Sequence, residues 1–352
     1  MLVYSMHGGA FILLALFLNL IFPNCRASPV AAFSSHKHAA TPIPATPFFY
    51  FPNSNQAENI RPRVNGQILI TLNTAPELYQ IDPFQNQTGG IVHSFEGYTS
   101  LFGIVELQTD IFYIIASNYT SAPDYFGFKG SVSILEVDLR GVPNPVITQG
   151  EIKVSKIVDI PQAQLLDGFA VVNKTAGLLI SGDAQTGTLY LINVHNRTAT
   201  AVLQNALLAG TSNARDAGLA HIGINGIKVF NGNMYFTNTA QGSFGQVPLD
   251  IETGQPVGSP SVLANYSTLT DDLSFDVHGN AFISEPLNGV LLRPANTTPT
   301  NNHTRLLAGL FGANSNAFGR TVLDQCILYS TFDGTTSGVA RIDLAKAGVC
   351  DG

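Results

Sequence analysis

Short apolar segments, separated by glycine, asparagine and polar turns, repeat along most of this chain. Each repeat opens on a polar or acidic signal and continues with strands rich in Ile, Val, Leu, Tyr and Phe. The repeats recur at intervals of roughly 40–60 residues, the range of propeller blades. Six units are visible, and they begin near Glu58, Phe102, Leu166, Ile224, Asp271 and Phe318.

This spacing predicts an all-β fold. Three strands are evident in each unit, and segments such as residues 90–95 supply a fourth, outer strand. Six units of four strands predict a six-bladed β-propeller with four-stranded antiparallel blades over residues 48–352. A pair of β-sandwiches is the alternative architecture, and the regular spacing argues against it.

The first 47 residues differ from the rest of the chain. Residues 10–22 form an apolar run that is short for a membrane span, which needs ~20 residues. We interpret residues 1–27 as a signal peptide cleaved after Ala27, although no Lys or Arg precedes the run, and an uncleaved anchor is the alternative. Residues 28–47 show no periodicity and are interpreted as a flexible lead-in.

Glycosylation sequons agree with a secretory route. Seven N-x-[ST] motifs occur, at Asn86, Asn118, Asn173, Asn196, Asn265, Asn296 and Asn302. Removal of the leader would leave two cysteines, Cys326 and Cys350, as a disulfide candidate in an oxidising compartment. We therefore expect a secreted glycoprotein, with chance occurrence of the sequons as the alternative.

Charge and motifs exclude several function classes. The 352 residues carry 17 Lys+Arg against 24 Asp+Glu, a net charge of -7, which disfavours nucleic acid or an anionic membrane as partner. There is no G-x-S-x-G elbow, no P-loop, no GxGxxG and no Cys/His cluster of the kind that binds zinc. We expect a monomer that acts on small molecules.

A set of polar residues lies just before, or within, the predicted innermost strands. In a propeller such residues ring the mouth of the central channel, and here they would be Glu58, Glu106, Asp167, Asn225, Asp271 with Asp272, and Arg320. Crowded carboxylates repel one another unless a proton, an arginine or a cation offsets them, and Asp, Glu and Asn oxygens suit Ca²⁺. The alternative is that these residues only cap strands and solvate the channel.

Three of these positions carry a resemblance to the regucalcin/gluconolactonase-like, senescence-marker-protein type of six-bladed propeller. Glu58 stands where that family has a metal-binding Glu, Asn225-Gly226-Ile227 resembles its Asn-Gly-Leu, and residues 271–280 resemble its Asp-Gly-x-x-x-Asp motif. The resemblance implies that Glu58, Asn225 and Asp271 hold a divalent cation. Asp272 replaces the family's Gly, and Pro62 stands in place of its Trp.

A narrower resemblance is to a fungal secreted branch of the same superfamily. It is carried by Glu58-Asn59-Ile60 and by residues 102–106, 235–238 and 318–321. Members of that branch include hetero-Diels–Alderases of secondary metabolism, which join a tropolone-type o-quinone methide to a humulene-type terpene. The resemblance implies an enzyme of meroterpenoid biosynthesis with apolar polyketide and terpene substrates and no required cofactor.

Such a pericyclase needs an apolar channel and a few polar groups. We assign catalytic roles to Glu58, Glu106, Asp272 and Arg320, and expect Asp272 to line the site while contributing under ~1 kcal/mol to folding. Apolar walls could come from Phe102, Phe169, Phe236, Phe275 and Phe318, unless these rings fill blade cores. Two other functions remain open: a Ca²⁺-dependent lactonase or esterase, and a non-catalytic secreted binding propeller.

Overall fold

Antiparallel four-stranded sheets follow one another along the chain. The computed structural model describes residues 41–52, 55–142, 152–214, 217–298 and 303–350, so the predicted signal peptide lies outside the described residues. The first sheet contains β2 (Ala57–Pro62), β3 (Ile68–Leu72), β4 (Glu77–Ile81) and β5 (Gly89–Ser94), in that spatial order. The outer strand β5 confirms the fourth strand expected at residues 90–95.

Three further sheets repeat this order. The second contains β6 (Ser100–Gln108), β7 (Ile111–Ser117), β10 (Ser133–Asp138) and β11 (Lys153–Asp159), with the hairpin β8 (Tyr119–Thr120) and β9 (Phe126–Gly127) between β7 and β10. The third contains β12 (Leu166–Asn173), β13 (Leu178–Asp183), β14 (Thr188–Asn193) and β15 (Thr198–Gln204). The fourth contains β16 (Ile224–Phe230), β17 (Asn233–Asn238), β18 (Ser243–Pro248) and β19 (Ser261–Asn265).

The last two predicted units are joined in one eight-stranded sheet. It contains β20 (Leu273–Phe275), β21 (Ala281–Glu285), β22 (Gly289–Arg293), β23 (Arg305–Gly309), β24 (Ala313–Phe318), β25 (Ile327–Phe332), β26 (Gly338–Asp343) and β1 (Ile43–Tyr50). Strand β1 pairs antiparallel with β26, and two of its residues pair parallel with β23. Four-stranded antiparallel sheets are therefore confirmed, whereas six separate sheets are not observed.

The strand β1 also corrects the predicted domain start. It begins at Ile43, so residues 43–47, which were interpreted as flexible lead-in, belong to the folded sheet. Residues 43–47 show no alternation of apolar and polar positions, because β1 contains two prolines and lies between two other strands. The amino-terminal strand and the carboxyl-terminal strand β26 thus hold the closing sheet together.

The predicted disulfide is confirmed near the same closure. Cys326 and Cys350 are bonded, with their Cα atoms 5.6 Å apart. The bond ties the start of β25 to the segment after a short 3-10 helix, Leu344–Ala347. A second 3-10 helix spans Ala217–Leu219, and no helix in the described ranges is long and apolar enough to cross a membrane.

The core lies inside and between the sheets. All five residues of β3 are buried, because this strand has strand neighbours on both edges and apolar clusters on both faces. Phe169 and Phe236 belong to such clusters, and Phe275 packs on Tyr235 and Phe230. Most of the phenylalanines considered as channel walls are therefore core residues.

The innermost strands are arranged in a ring. Strands β2, β6, β12, β16, β20 and β24 each contact the next in this order, and β24 contacts β2. At their first residues, the Asn314 side chain donates to the Ala57 carbonyl (2.8 Å), and beyond their last residues Arg320 donates to the Pro62 carbonyl (3.1 Å). The strands therefore start together at one end of the ring and finish together at the other.

Candidate functional site

The innermost strands share a local irregularity near their first residues. In β2, β6, β12, β16 and β24 the register with the second strand shifts across two residues, a β-bulge. The bulged pairs are Glu58-Asn59, Phe102-Gly103, Asp167-Gly168, Asn225-Gly226 and Asn314-Ser315, and Asp271-Asp272 occupies the same place before β20. We call the first residues of these six pairs the mouth ring.

Glycine at the second bulge position allows neighbouring bulges to touch. A Cβ on Gly168 would lie 2.1 Å from the carbonyl oxygen of Asn225, and one on Gly226 would lie 2.6 Å from the Cα of Asp272. No side chain fits in that space. The glycines of Asp167-Gly168 and Asn225-Gly226 are therefore required for packing between neighbouring bulges.

Hydroxyl groups on the second strands fix the bulges. Thr71 accepts from the amide of Asn59 (3.0 Å), Thr237 from that of Gly226 (2.9 Å) and Thr331 from that of Ser315 (2.9 Å). Thr331 also donates to the Glu58 carbonyl (2.8 Å). Sequence reasoning missed these residues, although a Ser or Thr recurs after the apolar run of most second strands.

The mouth ring brings three carboxyl groups under mutual repulsion. Burial, followed by the charges of Asp167 and Asp271, raises the pKa of Glu58 well above its usual value. Burial and the Asp272 charge raise the pKa of Asp167 to about 7, against the opposing effect of Lys228. Burial and the neighbouring aspartates likewise raise the pKa of Asp271. These three carboxyl groups, which the sequence predicted at the channel mouth, lie at equivalent positions of β2, β12 and the start of β20.

The same carboxyl groups lack hydrogen-bond donors. Asn73 donates to Glu58 Oε2 (2.5 Å), but Asp167 Oδ1 and Asp271 Oδ1 are buried without a partner. Asn225 is also buried, and its amide nitrogen donates to Thr239 (3.0 Å). Buried unpartnered oxygens of this kind call for protons or a cation.

Asp, Glu and Asn oxygens are the donor types that a hard cation such as Ca²⁺ binds. The set implied by family resemblance, Glu58, Asn225 and Asp271, lies on the mouth ring and includes the unpartnered Asp271 oxygen. Within the described residues, no three or more His, Cys, Asp or Glu side chains form a group that could hold a metal ion. A cation here would therefore depend on the Asn225 amide oxygen as well as on carboxylates.

Asp272 is held differently from its neighbour Asp271. It is 2% exposed, and its two oxygens contact Lys228 Nζ (2.6 Å) and the Ser315 hydroxyl (2.6 Å). Asp272 was expected to contribute little to folding, but its partly buried ion pair with Lys228 links β16, the start of β20 and β24, which favours a larger contribution. Breaking such a pair leaves a charge without compensation.

Glu106 and Arg320 do not join the mouth ring. Glu106 lies four residues beyond Phe102 in β6, where it forms a salt bridge with Arg320 and accepts from the Asp110 amide (2.9 Å). Arg320 follows β24 instead of preceding it, and the mouth-ring residue of that strand is Asn314. Phe318-Gly319 resembles Phe102-Gly103 in sequence, which led to the wrong register.

A hairpin lies close to the mouth ring. Tyr119 in β8 packs edge-on against Phe102 at 5.2 Å, and its pKa is raised by burial and by the charges of Glu58 and Asp167. Gln185 holds the hairpin through the Gly127 amide and the Tyr125 carbonyl, both at 3.3 Å. The mouth therefore combines buried carboxyl groups with an aromatic pair, of which the sequence singled out Phe102 but not Tyr119.

Comparison with known proteins bears on this arrangement. No family model matches the chain. It is 24% identical over 337 residues to a "Putative hetero-Diels-Alderase" from Phoma sp, covering 87% of this chain and 92% of that protein. It is also 24% identical to "Putative hetero-Diels-Alderase asR5" from Sarocladium schorii, covering 84% and 80%.

A solved structure shares the fold. The calcium-binding protein regucalcin from Agrobacterium tumefaciens superposes with a TM-score of 0.58 at 14% identity, covering 86% of this chain and 94% of regucalcin. The chain is thus similar in sequence to proteins named as hetero-Diels-Alderases and similar in fold to regucalcin, which confirms the resemblance inferred from its motifs.

Proposed function

We propose that this protein is a pericyclic enzyme of fungal secondary metabolism, a hetero-Diels–Alderase that joins a tropolone-type o-quinone methide to a humulene-type terpene. The observation that carries the proposal is the 24% identity to a protein of that name over 87% of the chain. The mouth ring supports it, since buried carboxyl groups with raised pKa values can hold protons near neutral pH. We also infer that the eight-stranded sheet acts as two blades, which brings the propeller to six.

The proposed chemistry needs a proton donor and an acceptor. A hydroxymethyl precursor loses water when its leaving hydroxyl gains a proton and its ring hydroxyl gives one up, which yields the quinone methide without redox change. Asp167, with its unpartnered oxygen, is the donor we propose, and an ionised mouth-ring carboxylate is the acceptor. Glu58 or Asp271 in protonated form would then donate a hydrogen bond to the quinone methide carbonyl.

The cycloaddition itself requires positioning. The four π electrons of the heterodiene and the two of one terpene double bond form one C–C and one C–O bond, and nothing leaves. An apolar wall beside a carbonyl-binding group is sufficient for this step. In the described residues, Phe102 and Tyr119 provide such a wall next to Glu58 and Asp167.

Product analysis tests this proposal. The purified protein is incubated with a hydroxymethyl tropolone and humulene, and the rate and stereochemical ratio of adducts are measured by chiral chromatography. We expect faster formation of one stereoisomer, and at least ~10²-fold less with Asp167→Asn, the scale of a lost acid–base group. Glu106→Gln, at the opposite end of the ring, is the matched control. Adduct formation at the protein-free rate and ratio would refute the proposal.

A Ca²⁺-dependent lactonase or esterase is the second candidate. It is favoured by one observation, the position of Glu58, Asn225 and Asp271 together on the mouth ring with an unpartnered Asp271 oxygen. A bound cation would neutralise the carboxylates and polarise a substrate carbonyl. Hydrolysis of an aldonolactone that stops with chelator and returns with Ca²⁺ would favour this candidate. Cycloaddition that resists the chelator would favour the pericyclase.

A further inference from the structure

A cleft of about 260 Å³ lies away from the mouth ring, next to the outer strand β23. Its walls come from the segment after β19, from the β21–β22 turn and from β23. The lining residues are Tyr266, Ser267, Glu285, Asn288, Leu291, Thr304, Arg305 and Leu306. None of these residues belongs to the mouth ring or to the proposed reaction.

Arg305 is the unexplained group in this cleft. It is the first residue of β23, and both terminal nitrogens of its guanidinium are buried without a hydrogen-bond partner. Burial of these donors destabilises the folded protein, because the guanidinium loses its hydrogen bonds to water and gains none from the protein. Burial accordingly lowers the pKa of Arg305.

The acidic residue of the cleft, Glu285, does not bind the Arg305 guanidinium. Glu285 is 4% exposed, and its two oxygens already accept from the Thr268 hydroxyl and from the Asn288 amide (2.7 Å). Burial raises the pKa of Glu285, which favours its uncharged form. The cleft therefore contains a cation whose donors are unused and a carboxyl group whose charge is disfavoured.

We propose that this cleft is a binding site for a small carboxylate-bearing ligand, held by the two free terminal nitrogens of Arg305. The planar guanidinium fork matches the two oxygens of a carboxylate and forms two parallel hydrogen bonds with it. The exposed amide of Asn288 and the side chain of Ser267 lie on the same walls and can contact the remainder of the ligand. The volume fits an organic acid of a few carbons.

Titration with succinate tests the site by calorimetry on the full-length mature protein, with sodium chloride of equal ionic strength as the blank. We expect saturable binding with one site per chain. Arg305→Gln keeps a polar side chain but shortens it and removes the charge and the fork, and we expect at least tenfold weaker binding. Arg140→Gln is the matched control, since Arg140 is an exposed arginine that pairs with Asp138, and it leaves binding unchanged.

A second variant distinguishes the loss of the ligand site from misfolding of the Arg305→Gln protein. Ser267 is exposed on the wall that follows β19, and Ser267→Asp places a carboxylate at the cleft while the Asn288–Glu285 hydrogen bond is kept. We expect this variant also to bind succinate at least tenfold more weakly, by like-charge repulsion. Inorganic phosphate forms the second arm, and tighter binding of phosphate than of succinate would overturn the assignment to carboxylates. Absence of saturable succinate binding, or equal binding by wild type and Arg305→Gln, would overturn the site itself.

Discussion

The two ends of the innermost-strand ring differ in whether their charged side chains are paired with an opposite charge. At the mouth ring, Glu58, Asp167 and Asp271 face one another with few donors, and burial and mutual repulsion raise their pKa values. At the far end, Glu106 is bonded to Arg320, and the buried Arg63 to Asp110 (2.9 Å). Paired charges at the far end need no ligand, whereas the mouth carries an electrostatic cost that substrate, protons or a cation can relieve.

The Asp272–Lys228 pair lies between these extremes and gives the largest expected effect on folding. We expect Asp272→Ala to lower the free energy of unfolding by ~3–4 kcal/mol, because it removes two charge-assisted hydrogen bonds, one from the 27% exposed Lys228 and one from the buried Ser315. Chemical denaturation measures the loss. Asp272→Asn is the control, because it removes the charge while retaining an acceptor for Ser315. A loss under ~1 kcal/mol would place Asp272 with the unpaired mouth carboxylates.

The mouth ring predicts an unusual dependence of stability on pH. Below pH ~4 the Asp167 carboxyl is protonated in both the folded and the unfolded protein. Between about pH 4 and pH 7 only the unfolded form ionises freely, so stability falls as the pH rises through this window. The difference between a pKa of about 7 and the usual 3.8 corresponds to ~4 kcal/mol.

Denaturant unfolding from pH 4 to pH 8, without divalent ions, checks this dependence. We expect Asp167→Asn to flatten the fall and to raise stability at pH 7, although it lowers turnover. Asp138→Asn is the contrasting control, because the Arg140 hydrogen bond lowers the pKa of Asp138 to about 2. Its contribution to stability therefore changes with pH only below about pH 4, outside the window in which Asp167 acts. A wild-type profile that rises between pH 4 and pH 7 would contradict the picture of crowded carboxyl groups.

The disulfide gives a reference for stability changes that involve neither the mouth ring nor the far end of the innermost strands. Replacing both Cys326 and Cys350 by Ser opens a loop with a sequence separation of 24 residues, and we expect a loss of ~3 kcal/mol. Turnover below the melting temperature and the shape of the pH profile stay unchanged, because neither cysteine lies on the mouth ring. A changed pH profile in the double variant would show that the closing sheet and the mouth are coupled.

The far end gives the smallest expected effect. Glu106→Gln removes the charge paired with Arg320 but keeps an acceptor for the Asp110 amide. We expect a loss of ~1–2 kcal/mol, limited because Arg320 is 32% exposed. Turnover with the proposed substrates remains within about twofold. A tenfold drop in turnover without unfolding would return Glu106 and Arg320 to the catalytic assignment made from sequence.

Much of the architecture was predictable from the sequence. The repeating β pattern predicted four-stranded antiparallel sheets, and cysteine arithmetic predicted the bond between Cys326 and Cys350. The polar residues ahead of the predicted innermost strands marked four mouth-ring positions, Glu58, Asp167, Asn225 and Asp271. These features depend on local residue preferences or on counting, and neither requires knowledge of distant contacts.

Tertiary structure alone decided which polar residues share an end of the ring. Glu106 and Glu58 look alike in sequence, but strand length places Glu106 four residues beyond the bulge, within reach of Arg320. The Asp272–Lys228 contact joins residues 44 positions apart, and β1 meets β26 across nearly the whole chain. Register within a strand and pairing between distant strands are set by the packing of the complete ring, so no local pattern could reveal them.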